Sequence, residues 1–242
     1  MNCNNWTHKR NKYIELCKKA LTDNTIFENI KNNKDYSMVE KMTYDYKICG
    51  EWLLNIFIKK YFHKLNLLEI GIQNDKYLNP IKFDYSNILK DKIQLSTYEL
   101  SFCCISYVIK SLNILNHINT IKLNKLNIVE IGGGYGGQAF VLIKIALILN
   151  INIESYTIFD LEYPSLIQTK YISLTQLNNI SNCIVKSYYT TNLDNTITKK
   201  YNFVISNYAL SEISTDIQNI YFEKILYNVK HGFILWNFLN KE

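Results

Sequence analysis

The sequence is poor in proline, in glycine and in paired cysteines. Its 242 residues include 2 prolines, 8 glycines and 6 cysteines, and no two cysteines stand in a CxxC motif or at the spacing of metal ligands. These absences exclude collagen-like proteins and small disulfide frameworks. The heptad pattern of a coiled coil is missing as well, and we expect no metal site.

Long hydrophobic runs and dense clusters of one charge are also missing. The longest apolar stretch, residues 139–149, contains Lys144, and residues 1–20 are polar. We therefore expect no membrane span, no secretory signal and a cytoplasmic, reduced protein. The 27 basic and 21 acidic residues give a net charge of +6, which without a dense Lys/Arg run does not predict nucleic-acid binding.

Hydrophobic residues make up 48% of the chain, enough for a large folded core, and their spacing changes near residue 125. Before that point there is little strand-like alternation. Apolar residues recur at helical spacing within 41–64 and 96–115, where Ser96 and Thr97 are candidates for a helix cap. The sequence therefore predicts a helical N-terminal region over 1–124.

From residue 125 onward, short apolar runs alternate with helix-length segments. Strands are predicted over 126–131, 153–159, 183–186, 203–206 and 233–236, and helices over 139–150, 164–177 and 212–229. This alternation predicts an α/β domain over 125–242, built on a doubly wound, mostly parallel Rossmann-like sheet. In such a sheet, ligands bind along the edge formed by the carboxyl ends of the strands.

Five of the eight glycines lie between positions 132 and 137: Gly132, Gly133, Gly134, Gly136 and Gly137. They follow a predicted strand and open a predicted helix, so the backbone can approach a ligand closely. The loop matches the dinucleotide pattern GxGxxG and, with Glu130, the pattern ExGxGxG of S-adenosylmethionine enzymes. Because a carboxylate ahead of the loop repels a pyrophosphate and suits a cationic amino-acid group, Glu130 favours S-adenosylmethionine.

Asp160 ends the second predicted strand of this domain, 26 positions after Gly134. A carboxylate there can accept hydrogen bonds from both ribose hydroxyls of an adenosine, whether in NAD or in S-adenosylmethionine. The alternative is that Asp160 caps the helix near Pro164. Adenosine binding is predicted under either cofactor template.

Three segments resemble class I S-adenosylmethionine-dependent methyltransferases and, more narrowly, the sugar O-methyltransferase family. They are VEIGGGYGGQAF (129–140), TIFDLEY (157–163) and FVISNYALSEI (203–213). The resemblance covers residues 125–238 and implies that the helical first half is a cap over the active edge. It also implies S-adenosyl-L-methionine as cofactor and S-adenosyl-L-homocysteine as product.

The resemblance assigns roles to individual residues. Glu130, Gly132, Gly134 and Gly136 would hold the methionine part of the cofactor and Asp160 its ribose, with Gly133 and Leu161 as further cofactor-binding residues. Asn207 and Tyr208 would face the methyl group and the acceptor. Two departures stand out. Asn202 replaces an acidic residue at the start of the fourth strand. The sequence also ends at Glu242, so we expect the usual antiparallel sixth and seventh strands to be missing or replaced.

Methyl transfer to a sugar hydroxyl calls for a positioned base, because the hydroxyl is a poor nucleophile. Glu212 is the best candidate, since it follows the fourth predicted strand; the alternative is a carboxylate that favours a helix N-terminus. Asp216 is a weaker second choice, and Asn237 is placed to bind a sugar hydroxyl. His231 precedes the fifth strand and therefore belongs at the opposite end of the sheet.

The sequence thus predicts a methyltransferase that uses S-adenosylmethionine to methylate a sugar hydroxyl on a nucleotide sugar or a glycan, with a homodimer among its compatible oligomeric states. One alternative is an NAD-dependent sugar oxidoreductase or epimerase. It lacks the Tyr-x-x-x-Lys pair, since Tyr221 and Lys224 are three positions apart. The other is a catalytically inactive partner subunit with a methyltransferase fold.

Overall fold

A computed structural model of the chain describes residues 3–39, 46–189 and 201–236. Two compact units are present, residues 1–113 and 114–242. The predicted domain boundary between residues 124 and 125 stays a prediction. No helix in the described ranges is long and apolar enough to cross a lipid bilayer.

The first unit is built mainly from helices. These are α1 (Cys3–Thr22), α2 (Asn24–Glu28), α3 (Lys34–Val39), α4 (Tyr46–Tyr61), α5 (Leu68–Asn74), α6 (Ser86–Leu89) and the start of α7 (Phe102–Thr120), with 3-10 turns at Ile30–Asn32 and Phe62–Leu67. A short strand β1 (Phe83–Asp84) pairs antiparallel with β2 (Glu99–Leu100). The helical character predicted for this part of the chain is therefore present in its described residues.

The start of α7 differs from the prediction that Ser96 and Thr97 cap this helix. Ser101 caps it instead: its hydroxyl accepts a hydrogen bond from the N–H of Cys104 at 2.9 Å. Ser101 in turn donates its own N–H and hydroxyl to the carboxylate of Asp75, at 2.8 and 2.7 Å. The cap is thus fixed by a buried carboxylate 26 residues earlier, a partner that local spacing does not reveal.

The second unit contains a five-stranded parallel sheet, which confirms the predicted fold class. Its strands are β3 (Leu126–Ile131), β4 (Ile153–Asp160), β5 (Ile184–Tyr189), β6 (Phe203–Asn207) and β7 (His231–Leu235). They lie side by side in the order β5-β4-β3-β6-β7, and each neighbouring pair is parallel. The described part of the chain thus has the doubly wound arrangement that the alternating pattern predicts.

The helices of this unit follow the strands. They are α8 (Gly137–Ile148), α9 (Glu162–Leu174), α10 (Leu177–Ile180), α11 (Ala209–Glu212) and α12 (Thr215–Lys224), with a 3-10 turn at Leu226–Asn228. The predicted single helix over 212–229 is wrong, because Ile213 and Ser214 adopt extended backbone between α11 and α12. Glu212 therefore closes a four-residue helix and does not open a long one.

Burial explains why the central strands and α8 read as continuous apolar runs. Nearly every residue of β3 and β4 is buried, as expected for parallel strands covered on both faces. α8 is buried almost all round, so its sequence shows no polar stripe. One face of the sheet shares a core with the α12 region, formed by Val129, Ile131, Phe159, Tyr201, Val204, Leu210, Tyr221 and Ile225.

The order of the strands fixes where a ligand can bind. Counted along the chain, the parallel strands lie in the order 3-2-1-4-5, so the chain moves outward from β3 on one side and returns to its other side with β6. Ligands of such sheets bind outside the carboxyl ends of the strands at this switch point. The switch point lies between Ile131, which ends β3, and Asn207, which ends β6.

Candidate functional site

The glycine loop leaves the carboxyl end of β3 at the switch point. Gly132, Gly134 and Gly136 have φ angles of +74°, +57° and +98°, a region that other residues enter only with strain. Gly132 and Gly134 are partly exposed, whereas Gly133 and Tyr135 are buried. The main chain at Gly132 and Gly134 is therefore the part of the loop that a ligand can reach.

Tyr135 holds the loop from inside the protein. Its ring is fully buried and packs edge-on against Tyr171 of α9, with ring centroids 5.2 Å apart. A Cβ on Gly137 would collide with the Tyr135 ring, so this glycine is needed for close packing and not for an unusual φ angle. Tyr135, the non-glycine residue within the glycine loop, therefore anchors the loop to α9.

The N–H groups of the loop bond within the protein. Gly132 donates to the carbonyl of Phe159 at 2.8 Å, and Gly136 donates to the carbonyl of Gly133 at 2.9 Å. The N–H groups of Gly133 and Gly134 are directed to the carboxylate of Asp160. Four of the five glycine N–H groups therefore have acceptors within the protein, and two of these four bond to Asp160.

Glu130 lies beneath this loop. Its side chain is 1% exposed, and a Cβ on Gly133 would stand 3.3 Å from Oε2. The hydroxyl of Tyr156 donates to Oε2 at 2.9 Å, and burial together with the Glu130 charge raises the pKa of Tyr156 well above its ordinary value. The side chain of Glu130 is therefore buried beneath the loop, and its cofactor role stays a prediction.

Asp160 stands beside the loop, at the end of β4. Its Oδ1 accepts the N–H of Leu161 at 2.8 Å, and its Oδ2 accepts the amide of Gln168 at 2.8 Å. Burial raises the pKa of Asp160 from 3.8 to about 6, while the hydrogen bonds from Leu161, Gln168, Gly133 and Gly134 lower it. The structure therefore brings Asp160 to the loop, as the sequence predicts, and leaves Leu161 36% exposed next to it.

Gln168 also belongs to the site, although it is not among the residues predicted from the sequence. This α9 side chain is fully buried, and its Nε2 donates to the carbonyl of Gly134 at 2.9 Å and to Asp160. Its Oε1 accepts the hydroxyl of Ser187 in β5 at 2.5 Å. A weak signal was available: Ser165 and Gln168, three positions apart, lie among the residues of α9 that are buried, together with Ile167, Tyr171 and Ile172.

The turn after β6 completes the edge on the other side of β3. The hydroxyl of Ser206, which is buried, donates to the carbonyl of Ile131 at 3.2 Å and accepts the N–H of Leu210 at 3.1 Å. A Cβ on Gly132 would overlap with the Cβ of Ala209. The glycine loop and the turn that carries Asn207 and Tyr208 are therefore in direct contact.

Asn207 and Tyr208 have unusual local environments. Oδ1 of Asn207 is buried and has no hydrogen-bond partner among the described residues, which is rare for a buried acceptor. Tyr208 has φ +69°, a strained conformation for a residue with a side chain. The N–H of Tyr208 donates to Leu235 of β7 at 3.0 Å, and the hydroxyl of Ser211 donates to the carbonyl of Tyr208 at 2.6 Å. These bonds hold the turn in its strained form.

The other predicted residues are placed as follows. Glu212 is partly buried at the end of α11, and Asp216 lies in the first turn of α12. His231 begins β7 and is therefore at the amino end of the sheet, where its ring lies 6.4 Å from that of His117. Asn237 lies outside the described residues. In the described ranges, no three His, Cys, Asp or Glu side chains form a group suited to a metal ion.

No family model matches the chain. A protein from Staphylococcus aureus described as a caffeoyl-CoA O-methyltransferase is 11% identical, with 76% of this chain and 69% of that chain aligned and a TM-score of 0.42. A protein from Listeria monocytogenes described as a class I S-adenosylmethionine-dependent methyltransferase is 10% identical, with 92% and 71% aligned and a TM-score of 0.41. An O-methyltransferase family protein from Burkholderia thailandensis is 13% identical, with 52% of this chain and 36% of that chain aligned and a TM-score of 0.35.

One curated protein also matches. Over an aligned stretch of 147 residues, the chain is 29% identical to the DNA-directed RNA polymerase subunit beta'' of Plasmodium falciparum (isolate 3D7). The aligned stretch makes up 61% of this chain and 13% of that protein. The chain thus spans about an eighth of that relative's length. The three solved structures named above are described as methyltransferases, and a functional assignment for this chain depends on the site itself.

Proposed function

We propose that this protein is an S-adenosylmethionine-dependent methyltransferase that methylates a hydroxyl group of a sugar, carried on a nucleotide sugar or a glycan. One observation carries the proposal. At the switch point of the sheet, the exposed main chain of Gly132 and Gly134 lies between a buried Glu130 and the carboxylate of Asp160. Such a site suits an adenosyl group that bears positive charge.

The chemistry of the loop favours this cofactor over a dinucleotide. A hydroxyl group can accept a hydrogen bond from the Gly133 or Gly134 N–H and donate one to Asp160, so ribose hydroxyls are compatible with both groups. A pyrophosphate oxygen only accepts hydrogen bonds and would stand near the negative charge of two carboxylates. In addition, Tyr221 is 2% exposed and belongs to the core, so it is not available to a nicotinamide cofactor.

Each part of the cofactor has a candidate partner in this chain. Asp160 would bind the ribose hydroxyls, and the partly exposed Leu161 would contact the adenine. The main chain at Gly132 and Gly134 would lie along the methionine part, with the charge of Glu130 below it. When bound, the cofactor supplies a methyl group on a sulfonium, a leaving group that needs no further activation.

The acceptor side is assigned to the turn after β6. Oδ1 of Asn207 can accept a hydrogen bond from an acceptor hydroxyl or from the ammonium group of the cofactor, and the strained turn at Tyr208 holds it in place. Glu212 would take the proton that the acceptor hydroxyl loses. The choice of a sugar follows from the family resemblance of residues 203–213, and Asn237 stays a predicted sugar ligand.

The cofactor is tested by ligand binding. S-Adenosylhomocysteine at about 100 times its dissociation constant should raise the free energy of unfolding by about 2.7 kcal/mol, whereas NAD should have no effect. Isothermal calorimetry and thermal shift would measure this. Stabilisation by NAD alone would refute the proposed cofactor. A mass gain of one methyl group on nucleotide sugars or purified glycans would then test the acceptor, and a product on other hydroxyl compounds only would refute the sugar.

The affinity for S-adenosylhomocysteine should depend on pH through Asp160. Since burial raises the pKa of this carboxyl to about 6, it is ionised above pH 7 and becomes protonated as the pH falls. Protonation removes an acceptor of the ribose hydroxyls, so the affinity should decrease below pH 6, by up to about tenfold per pH unit. Calorimetry between pH 5 and pH 8 (roughly the window of this titration) would measure the decrease.

Two controls accompany this titration. Asp160→Asn should bind more weakly at pH 8 and show little pH dependence, and an unchanged pH profile would assign the titration to another group. The ligand-free protein should respond in the opposite direction. A carboxyl whose pKa is raised by folding contributes stability below the unfolded pKa and loses that contribution as the pH rises through the folded value.

A further inference from the structure

Gln168 connects the two halves of the proposed cofactor site. Among the described residues, its amide joins three elements: the glycine loop through the carbonyl of Gly134, the end of β4 through Asp160, and β5 through Ser187. The side chain is fully buried, and burial of an amide is favourable only when its hydrogen bonds are made. The position therefore serves a polar arrangement and not the packing of a core.

The orientation of this amide follows from its partners. The carbonyl of Gly134 is an acceptor, and Asp160 accepts as well when ionised, so only the NH2 group of Gln168 can face both of them. Oε1 must then point to Ser187, whose hydroxyl donates to it at 2.5 Å. Each of the two N–H bonds of Nε2 is thus used for one part of the site, at 2.9 Å to Gly134 and 2.8 Å to Asp160.

This arrangement has a consequence for ligand binding. A ribose hydroxyl that accepts from the Gly133 or Gly134 N–H and donates to Asp160 would replace the direct bonds by which these N–H groups link the loop to Asp160. The bonds of Gln168 to the carbonyl of Gly134 and to Oδ2 of Asp160 do not involve these N–H groups. Gln168 can therefore hold the loop and the Asp160 carboxylate in a fixed relative position while the ribose is bound.

We infer that Gln168 is a positioning residue for the ribose of the cofactor. It holds Oδ2 of Asp160 and the Gly134 backbone in the relative position in which they can bind the ribose hydroxyls. This inference rests on the proposed function, because it assumes that Asp160 binds a ribose. Gln168 itself would not touch the ligand. Its hydrogen bonds would set the ratio of the affinities for a ribose and for a deoxyribose.

The test compares S-adenosylhomocysteine with its 2′-deoxy and 3′-deoxy analogues by calorimetry, at pH 8. The native protein should bind the parent compound about tenfold or more tightly than the deoxy analogues, as expected for hydrogen bonds to a charged group. Gln168→Met keeps the length of the side chain and removes its hydrogen bonds, and this preference should then fall to about threefold or less. Gln168→Asn, which is too short to bridge the two acceptors, should have the same effect if the methionine variant does not fold.

Gln218→Met is the matched control. Nε2 of Gln218 also donates to two carbonyls, of Leu210 at 2.9 Å and of Ile213 at 3.2 Å, but these belong to α11 and to the residue that follows it. This variant should lose stability and keep the preference for ribose. A loss of stability without a change in preference in the Gln168 variants would overturn the inference and leave the proposed function intact. If the native protein does not bind S-adenosylhomocysteine, the proposed function and the inference both fail.

Discussion

Replacement of Gly132 by alanine is expected to destabilise the protein by about 2–5 kcal/mol and to abolish detectable cofactor binding. Two costs add. A residue with a side chain at φ +74° costs about 1–2 kcal/mol, and the new Cβ would overlap with the Cβ of Ala209, an overpacking that costs about 1–3 kcal/mol. Relief of the overlap would move the turn that carries Asn207 and Tyr208. Chemical denaturation and calorimetry with S-adenosylhomocysteine measure both effects.

Two further variants separate these costs. Gly136→Ala introduces a side chain at φ +98°, but its Cβ would make only an ordinary contact with Tyr171 at 3.4 Å, so it should show the conformational cost alone. In the double variant Gly132→Ala with Ala209→Gly, the overlapping atom is absent, and part of the lost stability should return. If the double variant is no more stable than Gly132→Ala, the loop and the turn are not in contact as described.

Glu212→Gln is expected to reduce methyl transfer by about 10²–10⁴-fold while the affinity for S-adenosylhomocysteine stays within about twofold of the native value. The amide cannot take the proton of the acceptor hydroxyl, and Glu212 has no assigned contact with the cofactor. The two measurements are the rate of product formation by mass spectrometry and the dissociation constant by calorimetry. Unchanged turnover would remove Glu212 from the mechanism.

Glu223→Gln is the control for this substitution. Glu223 is an exposed carboxylate of α12, so its neutralisation changes the net charge by the same amount as Glu212→Gln and leaves the candidate site untouched. Turnover should be unaffected. An equal loss in both variants would indicate a general effect of charge and would contradict the assignment of Glu212 as base.

Much of the second unit is predictable from the sequence. The strand over 126–131 is found with the predicted bounds, and the helix after it begins at Gly137 and not at residue 139. These elements are predictable because strands and helices buried on both faces appear as uninterrupted apolar runs. The predicted helix over 212–229 fails for the opposite reason: α12 has only a partial apolar face, and its start depends on the extended Ile213 and Ser214.

The residues of the candidate site also divide into those that can be recognised in the sequence and those that cannot. Gly132, Gly134 and Gly136 are conspicuous in a glycine-poor chain, and the structure gives all three a positive φ angle. Gln168 and Ser206 are ordinary polar residues in the sequence. Their importance comes from partners 34 and 75 residues away, Gly134 and Ile131.

The sequence by itself determined the alternation of strands and helices, the glycine loop and the acidic residues on either side of it, because these depend on residues that are close along the chain. Only the tertiary structure decided that Glu130 is buried under the loop, that the loop N–H groups bond to Asp160, and that Gly132 touches the turn after β6. The reason is physical: hydrogen bonds and steric contacts between different strands depend on the order of the strands in the sheet, and local spacing along the chain carries no record of that order.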